Sequence, residues 1–167
     1  MITIRCTARA AKHLGVTPNP DAPSGTSILG DWFLNLIPTY AGGMLLFVNE
    51  RSLVSLCVPA HLESPMNEFY RRVGSLLAML KIPHETIYRE LEHYHELIIG
   101  KTNSRVILGS MNELAYLMQC EFDKASPQNP VSLSDLEMYL AIVPMGSIRY
   151  KSPGDVAREI LGSAGVN

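Results

Sequence analysis

Asp31 lies between Gly30 and the only tryptophan, Trp32, and Glu50 sits in the polar run Asn49-Glu50-Arg51-Ser52. A carboxylate in either place has the chemistry of a general base, and a nearby cation would stabilise the negative charge that develops. Lys101, Asn103 and Arg105 are closely spaced, and Ser110 and Asn112 follow. An arginine forks onto phosphate oxygens and a lysine acts as a point charge, so Arg51, Arg105 and Lys101 suit an anion. Leu108-Gly109-Ser110-Met111-Asn112 reads as the entry to a helix after a short strand, where free N–H groups favour negative charge. The expected ligand-binding set is Asn49, Arg51, Lys101, Asn103, Arg105, Ser110 and Asn112. Asp31 and Glu50 are the catalytic candidates. A simpler account covers the last part of this set: Ser110 and Glu113 form an S-x-x-E capping box, and that alone explains them.

The run Glu92-His93-Tyr94-His95-Glu96 has the residue types of a metal site but not the spacing. A helix turns about 100° per residue, which sends His93 and His95 to nearly opposite sides. Glu92 and His95 share a face, but no second E-x-x-H element accompanies them. No metal site is expected. There is no G-x-S-x-G elbow, Walker A loop or G-x-G-x-x-G sequence, so no cofactor is expected either. Cys6, Cys57 and Cys120 are odd in number and contain no CxxC, which argues against a disulfide framework or zinc ribbon.

The elements that would position these residues are partly legible. Ile2, Ile4 and Cys6 alternate with Thr3 and Arg5 as in a strand, and Thr7 opens a short helix that Gly15 stops. Val16 to Ser27 holds Pro18, Pro20 and Pro23 with Asn19, Asp21, Ser24 and Gly25 between or beside them and reads as a surface loop. Strands are expected at about Trp32 to Ile37, Met44 to Val48 and Leu53 to Val58, making a three-stranded meander after a turn at Pro38 to Gly43. Ser64 and Pro65 begin a helix carrying Met66, Phe69, Val73, Leu76, Leu77 and Leu80 at helical steps. A second helix is expected from Pro83 to Ile98, then a short strand at Val106 to Leu108 and a helix from Met111 to Phe122. Ser132 and Ser152 cap two further helices. The fold class is therefore α+β: a small antiparallel sheet, built of the meander plus an N-terminal and one later short strand, packed against helices.

The chain has 167 residues, 47% hydrophobic and 18% charged, with a formal net charge of −2. One globular domain is expected, and the charge balance excludes a whole-surface electrostatic footprint for nucleic acid while leaving room for a local basic site. Neither a secretory signal nor an apolar run of membrane-spanning length is present, so a cytoplasmic location and no membrane partner are expected.

Four segments occur in order: Ile2-Thr3-Ile4-Arg5-Cys6-Thr7, Leu29-Gly30-Asp31-Trp32-Phe33 with Asn35, Leu46 to Ser52, and Lys101 to Asn112. As a set they resemble a family of small bacterial proteins with no assigned function, a domain of unknown function. The resemblance spans residues 1–122, and 123–167 reads as a helical C-terminal extension packed on the same domain. It implies a fold and a bacterial setting but no activity. The polar residues that fit its pattern fall at loop ends, where side chains more often bind than pack. They are equally suited to a hydrogen-bond network that ties connectors together. The leading expectation is a small binding module for an anionic ligand, a nucleotide or a nucleic-acid segment. A small hydrolase or nuclease is the alternative. A structural or interaction protein of a toxin–antitoxin or mobile-element pair is another, with a protein partner or homodimer contact formed by Ile142, Val143, Met145 and Ile148.

Overall fold

The computed structural model describes residues 1–40 and 42–164. Ala41, in the expected Pro38–Gly43 turn, and residues 165–167 of the expected C-terminal segment lie outside them. The strands are β1 (Ile2–Cys6), β2 (Trp32–Thr39), β3 (Gly42–Asn49), β4 (Ser55–Pro59) and β5 (Leu97–Lys101). The helices are α1 (Ala8–Leu14), α2 (Pro65–Met79), α3 (His84–Leu91), α4 (Arg105–Lys124), α5 (Leu133–Ile142) and α6 (Pro153–Ser163). The fold is α+β.

The sheet order is β4-β3-β2-β1-β5. The meander β2-β3-β4 is antiparallel, as its short turns dictate. β1 differs from the antiparallel expectation, because it runs parallel to both β2 and β5. The chain between β1 and β2 is a crossover of one helix and a long loop, the kind of connection a parallel pair needs.

One face of the sheet carries Ile4, Leu34, Leu45, Phe47, Leu56 and Val58 against Ala10 and Ala11 of α1, Phe69, Val73 and Leu77 of α2, and Leu161 of α6. The other carries Phe33, Ile37, Leu46, Val48 and Cys57 against Met111, Leu114 and Met118 of α4 and Leu136 and Leu140 of α5. Cys6 and Cys57 are buried and Cys120 is half-buried. Burial pushes the Cys6 thiol up to about 12, which leaves it inert.

Each sheet edge is partly blocked, which limits its unpaired backbone groups. Along β5 the Lys101 N–H donates to the Asn19 carbonyl (2.9 Å) and the Asn19 N–H donates to the Ile99 carbonyl (3.0 Å). Along β4 the Cys57 N–H donates to Glu137 Oε1 of α5 (2.9 Å). Arg72 of α2 forks onto the same carboxylate at 2.7 and 2.8 Å.

Two elements differ from the sequence reading. The last strand is β5, not Val106–Leu108. The Ser104 hydroxyl accepts the Ile107 N–H, so Val106–Leu108 form the first turns of a 20-residue helix. Ser110 therefore does not cap that helix. It sits inside it and donates to the Val106 carbonyl at 3.2 Å. The helix expected to reach Ile98 stops at Leu91, a 3-10 turn covers Glu92–His95, and Leu97, Ile98 and Ile99 pair with β1. Tertiary contacts decide this break. The Tyr94 hydroxyl accepts from Trp32 Nε1 (2.9 Å) and donates to Glu90 (3.0 Å), fixing the turn against the aromatic core.

Candidate functional site

Arg5 points from β1 into the face that the 16–31 loop covers. The alternation with Ile4 and Cys6 assigns it to a solvated polar row, yet it is 3% exposed. Its Nε donates to Asp31 Oδ2 at 2.6 Å, and its remaining N–H groups reach the carbonyls of Lys101 and Ala22, each at 3.3 Å. Asp31 is fully buried, and its other oxygen accepts the Gly25 N–H at 2.6 Å. Room for the guanidinium comes from Gly100, which pairs with Arg5 in the β1–β5 register. A Cβ there would lie 2.8 Å from the Ala22 Cβ and 3.2 Å from an Arg5 terminal nitrogen. A glycine inside a strand marks such a close approach, and Gly100 was the available sign that β1 carries a bulky neighbour.

The hairpin tip joins the same network. Glu50 accepts the Asp31 N–H at 3.0 Å, and Asn49 Nδ2 donates to the carbonyls of Leu29 and Asp31. Asn49 Oδ1 accepts from the Arg51 N–H, the Ser52 N–H and the Ser52 hydroxyl, so the turn is closed by one buried amide. Gly30 passes through with φ +78°, and a Cβ there would sit 2.5 Å from Glu50 Oε1. Arg51 donates to the Ile28 carbonyl at 2.9 Å and lies 4.0 Å from Glu50, a solvated pair worth little. The start of this loop is held by Glu90, which accepts the N–H groups of Ile28 (2.8 Å) and Leu29 (3.2 Å). Burial raises the Glu90 pKa, and those bonds with the Tyr94 hydroxyl lower it by less.

Asp31, Asn49, Glu50 and Arg51 thus come together, with Arg5, as a satisfied network joining three connectors. Both Asp31 oxygens are engaged, so this carboxylate holds position rather than offering itself to a substrate.

The second group shares only the Lys101 carbonyl with this network, and its side chains lie at the other end of the strands. Asn49 is level with Trp32, Trp32 with Ile4, and Ile4 with Ile99, so the tip residue Arg51 lies toward the amino ends of β1 and β5. Lys101 pairs with Cys6 at the opposite, carboxyl end, and Arg105 opens α4 just past it. Arg51 and Arg105 therefore do not converge. Lys101, Asn103 and Arg105 are all exposed at that carboxyl end. Ser110 is buried, 2.7 Å from the Ser147 hydroxyl, and Asn112 is exposed further along α4.

The carboxyl end carries exposed cations without carboxylate partners. Among the described residues, Arg5, Arg51, Arg71, Arg72, Lys124, Lys151 and Arg158 have carboxylate partners within 4.0 Å. The other seven, Arg9, Lys12, Lys81, Arg89, Lys101, Arg105 and Arg149, have none, and three of them, Arg9 at the start of α1, Lys101 and Arg105, follow the carboxyl ends of β1 and β5. Neither α1 nor α4 has an acidic residue in its first turn. β1 leads into α1 on one face of the sheet and adjacent β5 leads into α4 on the other. Parallel strands whose connections diverge in this way leave a crevice beyond their carboxyl ends.

The chain belongs to the family described as a domain of unknown function (DUF6933), whose pattern it matches over residues 3–156. The family's span contains all of the network and the carboxyl-end cations, and continues past Phe122 through α5 into α6. No curated protein and no solved structure matches the chain. Among the described residues, no helix is long and apolar enough to cross a membrane, and no group of His, Cys, Asp and Glu side chains is placed to hold a metal ion. Ile142 is exposed, Val143 and Ile148 are half-buried and Met145 is buried, so these four do not make one continuous apolar face.

Proposed function

We propose that this protein is a binding module for an anionic ligand held at the carboxyl ends of β1 and β5 by Lys101, Asn103 and Arg105. The observation that carries the reading is the set of exposed cations there without carboxylate partners, beside a 20-residue helix with no acid in its first turn. The uncompensated helix dipole adds to their potential. Asn103 supplies an amide donor beside them. Arg51, Ser110 and Asn112 fall outside this reading. Asn49 belongs to the scaffold, as do the carboxylates of Asp31 and Glu50.

The test is calorimetric titration with inorganic polyphosphate at low salt. Binding should weaken at least tenfold in the Lys101→Ala/Arg105→Ala double variant, and the dependence of log affinity on log salt should flatten. No binding at low salt, or binding indifferent to both substitutions, would overturn the reading.

A hydrolase acting through Asp31 has less support, since that carboxylate would have to give up its Arg5 and Gly25 bonds to act.

A further inference from the structure

Resting on the anion-binding reading above, we infer that the ligand is a single-stranded nucleic acid. Its bases stack on Tyr150 while Arg149 and Arg105 meet its phosphates.

The 145–151 segment is a tight hairpin-like turn. The Tyr150 N–H donates to the Met145 carbonyl (2.9 Å), the Met145 N–H to the Lys151 carbonyl (3.1 Å), and the Lys151 N–H to the Ile148 carbonyl (3.2 Å). Its centre, Arg149-Tyr150, holds two consecutive residues in the left-handed region, at φ +58° and +59°. An L-residue other than glycine is disfavoured there, and burial offers no offset because both side chains are exposed. Tyr150 is 78% exposed, above every other large hydrophobic side chain among the described residues. Its ring rests near Gly146, where an added Cβ would lie 3.9 Å away, and the high exposure leaves most of the ring accessible.

This turn is fixed to α4. The Ser147 and Ser110 hydroxyls are 2.7 Å apart, and Ile148 and Ile107 pack on the same cluster. One helical turn before Ser110 is Val106, 65% exposed, and next to it is Arg105. Among the described residues Arg149 has no ionic partner, like Arg105 and Lys101. The result is an accessible aromatic ring next in sequence to one unpaired cation, Arg149, on a turn joined to the helix that begins with another, Arg105.

That combination of flat π-surface and guanidinium suits a chain of alternating bases and phosphates. It fits a strand better than a free nucleotide, because the patch is open and clefts elsewhere on the molecule are lined by other residues. An open surface gains affinity from repeated contacts along a polymer rather than from enclosure.

The test is fluorescence anisotropy with fluorescein-labelled oligo(dT) and oligo(U), set beside calorimetric titration with inorganic polyphosphate. Tyr150→Gly suits the left-handed backbone, so its melting temperature should be unchanged or higher, yet oligonucleotide affinity should fall roughly fivefold or more. Tyr150→Phe keeps the ring and should retain affinity within about twofold. Polyphosphate affinity should not respond to either substitution. If polyphosphate binds but oligonucleotide affinity ignores Tyr150→Gly, the nucleic-acid inference fails and the anion reading survives. If acidic polyglutamate displaces the oligonucleotide as well as polyphosphate does in Tyr150→Gly and wild type alike, the inference also fails. If no polyanion binds at low salt, both fail.

Discussion

Replacing Asp31 by Asn tests whether the Arg5–Asp31 pair is the scaffold described here. The substitution keeps shape and removes charge. The Asn oxygen can still accept the Gly25 N–H, but its amide nitrogen then faces Arg5 Nε across the present 2.6 Å contact, donor against donor. Arg5, at 3% exposure, is left with two long bonds to carbonyls at 3.3 Å. Removing one partner of a buried ion pair costs about 3–5 kcal/mol, because the other charge stays buried without compensation. At about 2–4 °C per kcal/mol for a chain of this size, the melting temperature should fall on the order of 10 °C. The assay is urea unfolding followed by circular dichroism, supported by a cycle with Arg5→Met. The double variant should recover part of the loss, since neither charge then remains. A loss below about 1 kcal/mol, or strictly additive single losses, would refute the reasoning, because a coupled buried pair cannot behave that way.

Two further outcomes follow from the same geometry. The pKa of Glu90 is raised by burial, so its contribution to stability is full below the unfolded carboxylate pKa and is lost as pH rises through the folded value. In urea titrations at several pH values, wild type should therefore lose ground relative to Glu90→Gln as pH rises, and a gap that widens in favour of wild type would contradict the burial argument. Gly100→Ala places a Cβ 2.8 Å from Ala22 Cβ, so the loop must move. Thermal melts should show destabilisation of about 1–3 kcal/mol, with a neutral result meaning that the loop over Arg5 is loosely held.

Local signals were legible and long-range ones were not. Thr7, Ser132 and Ser152 were readable as caps because each accepts an N–H three residues on, a bond fixed by nearby residues. Ser110 has the same signature with Glu113, but Ser104 also offers a hydroxyl and captured the helix start. A run of three apolar residues such as Val106–Leu108 fits the first turns of a helix as well as a strand. The spacing of Ile87, Leu91, Tyr94 and Ile98 imitates a single helix. What breaks it is a tyrosine hydroxyl bonded to Trp32, 62 positions away in sequence, which no local window contains. Arg5 was missed for the same reason: alternation places it on the polar row, and only the return of the 16–31 loop buries it. The grouping of Asp31 with Asn49, Glu50 and Arg51 is readable as loop-end polarity, but its use as a satisfied scaffold depends on Arg5 and Gly25, which only the tertiary fold brings to Asp31.

Pairing separates the two groups of polar residues more sharply than residue type does. Arg5 and Arg72 are spent on buried carboxylates, and removing either partner would cost the fold. Lys101, Arg105 and Arg149 have no carboxylate partner among the described residues, as is true of several other surface cations, but these three lie at the end of β5, at the start of α4 and on the turn joined to α4. A net charge of −2 does not cancel their field, because at physiological ionic strength solvent-exposed charges are largely screened beyond about 8 Å. What an approaching anion meets is the local set. That set combines Lys101 and Arg105 past the end of β5, the amino end of α4, and a turn bolted to α4 through Ser110 and Ser147. Ser110 makes no contact in the proposed reading; its bond to Ser147 ties the turn to α4.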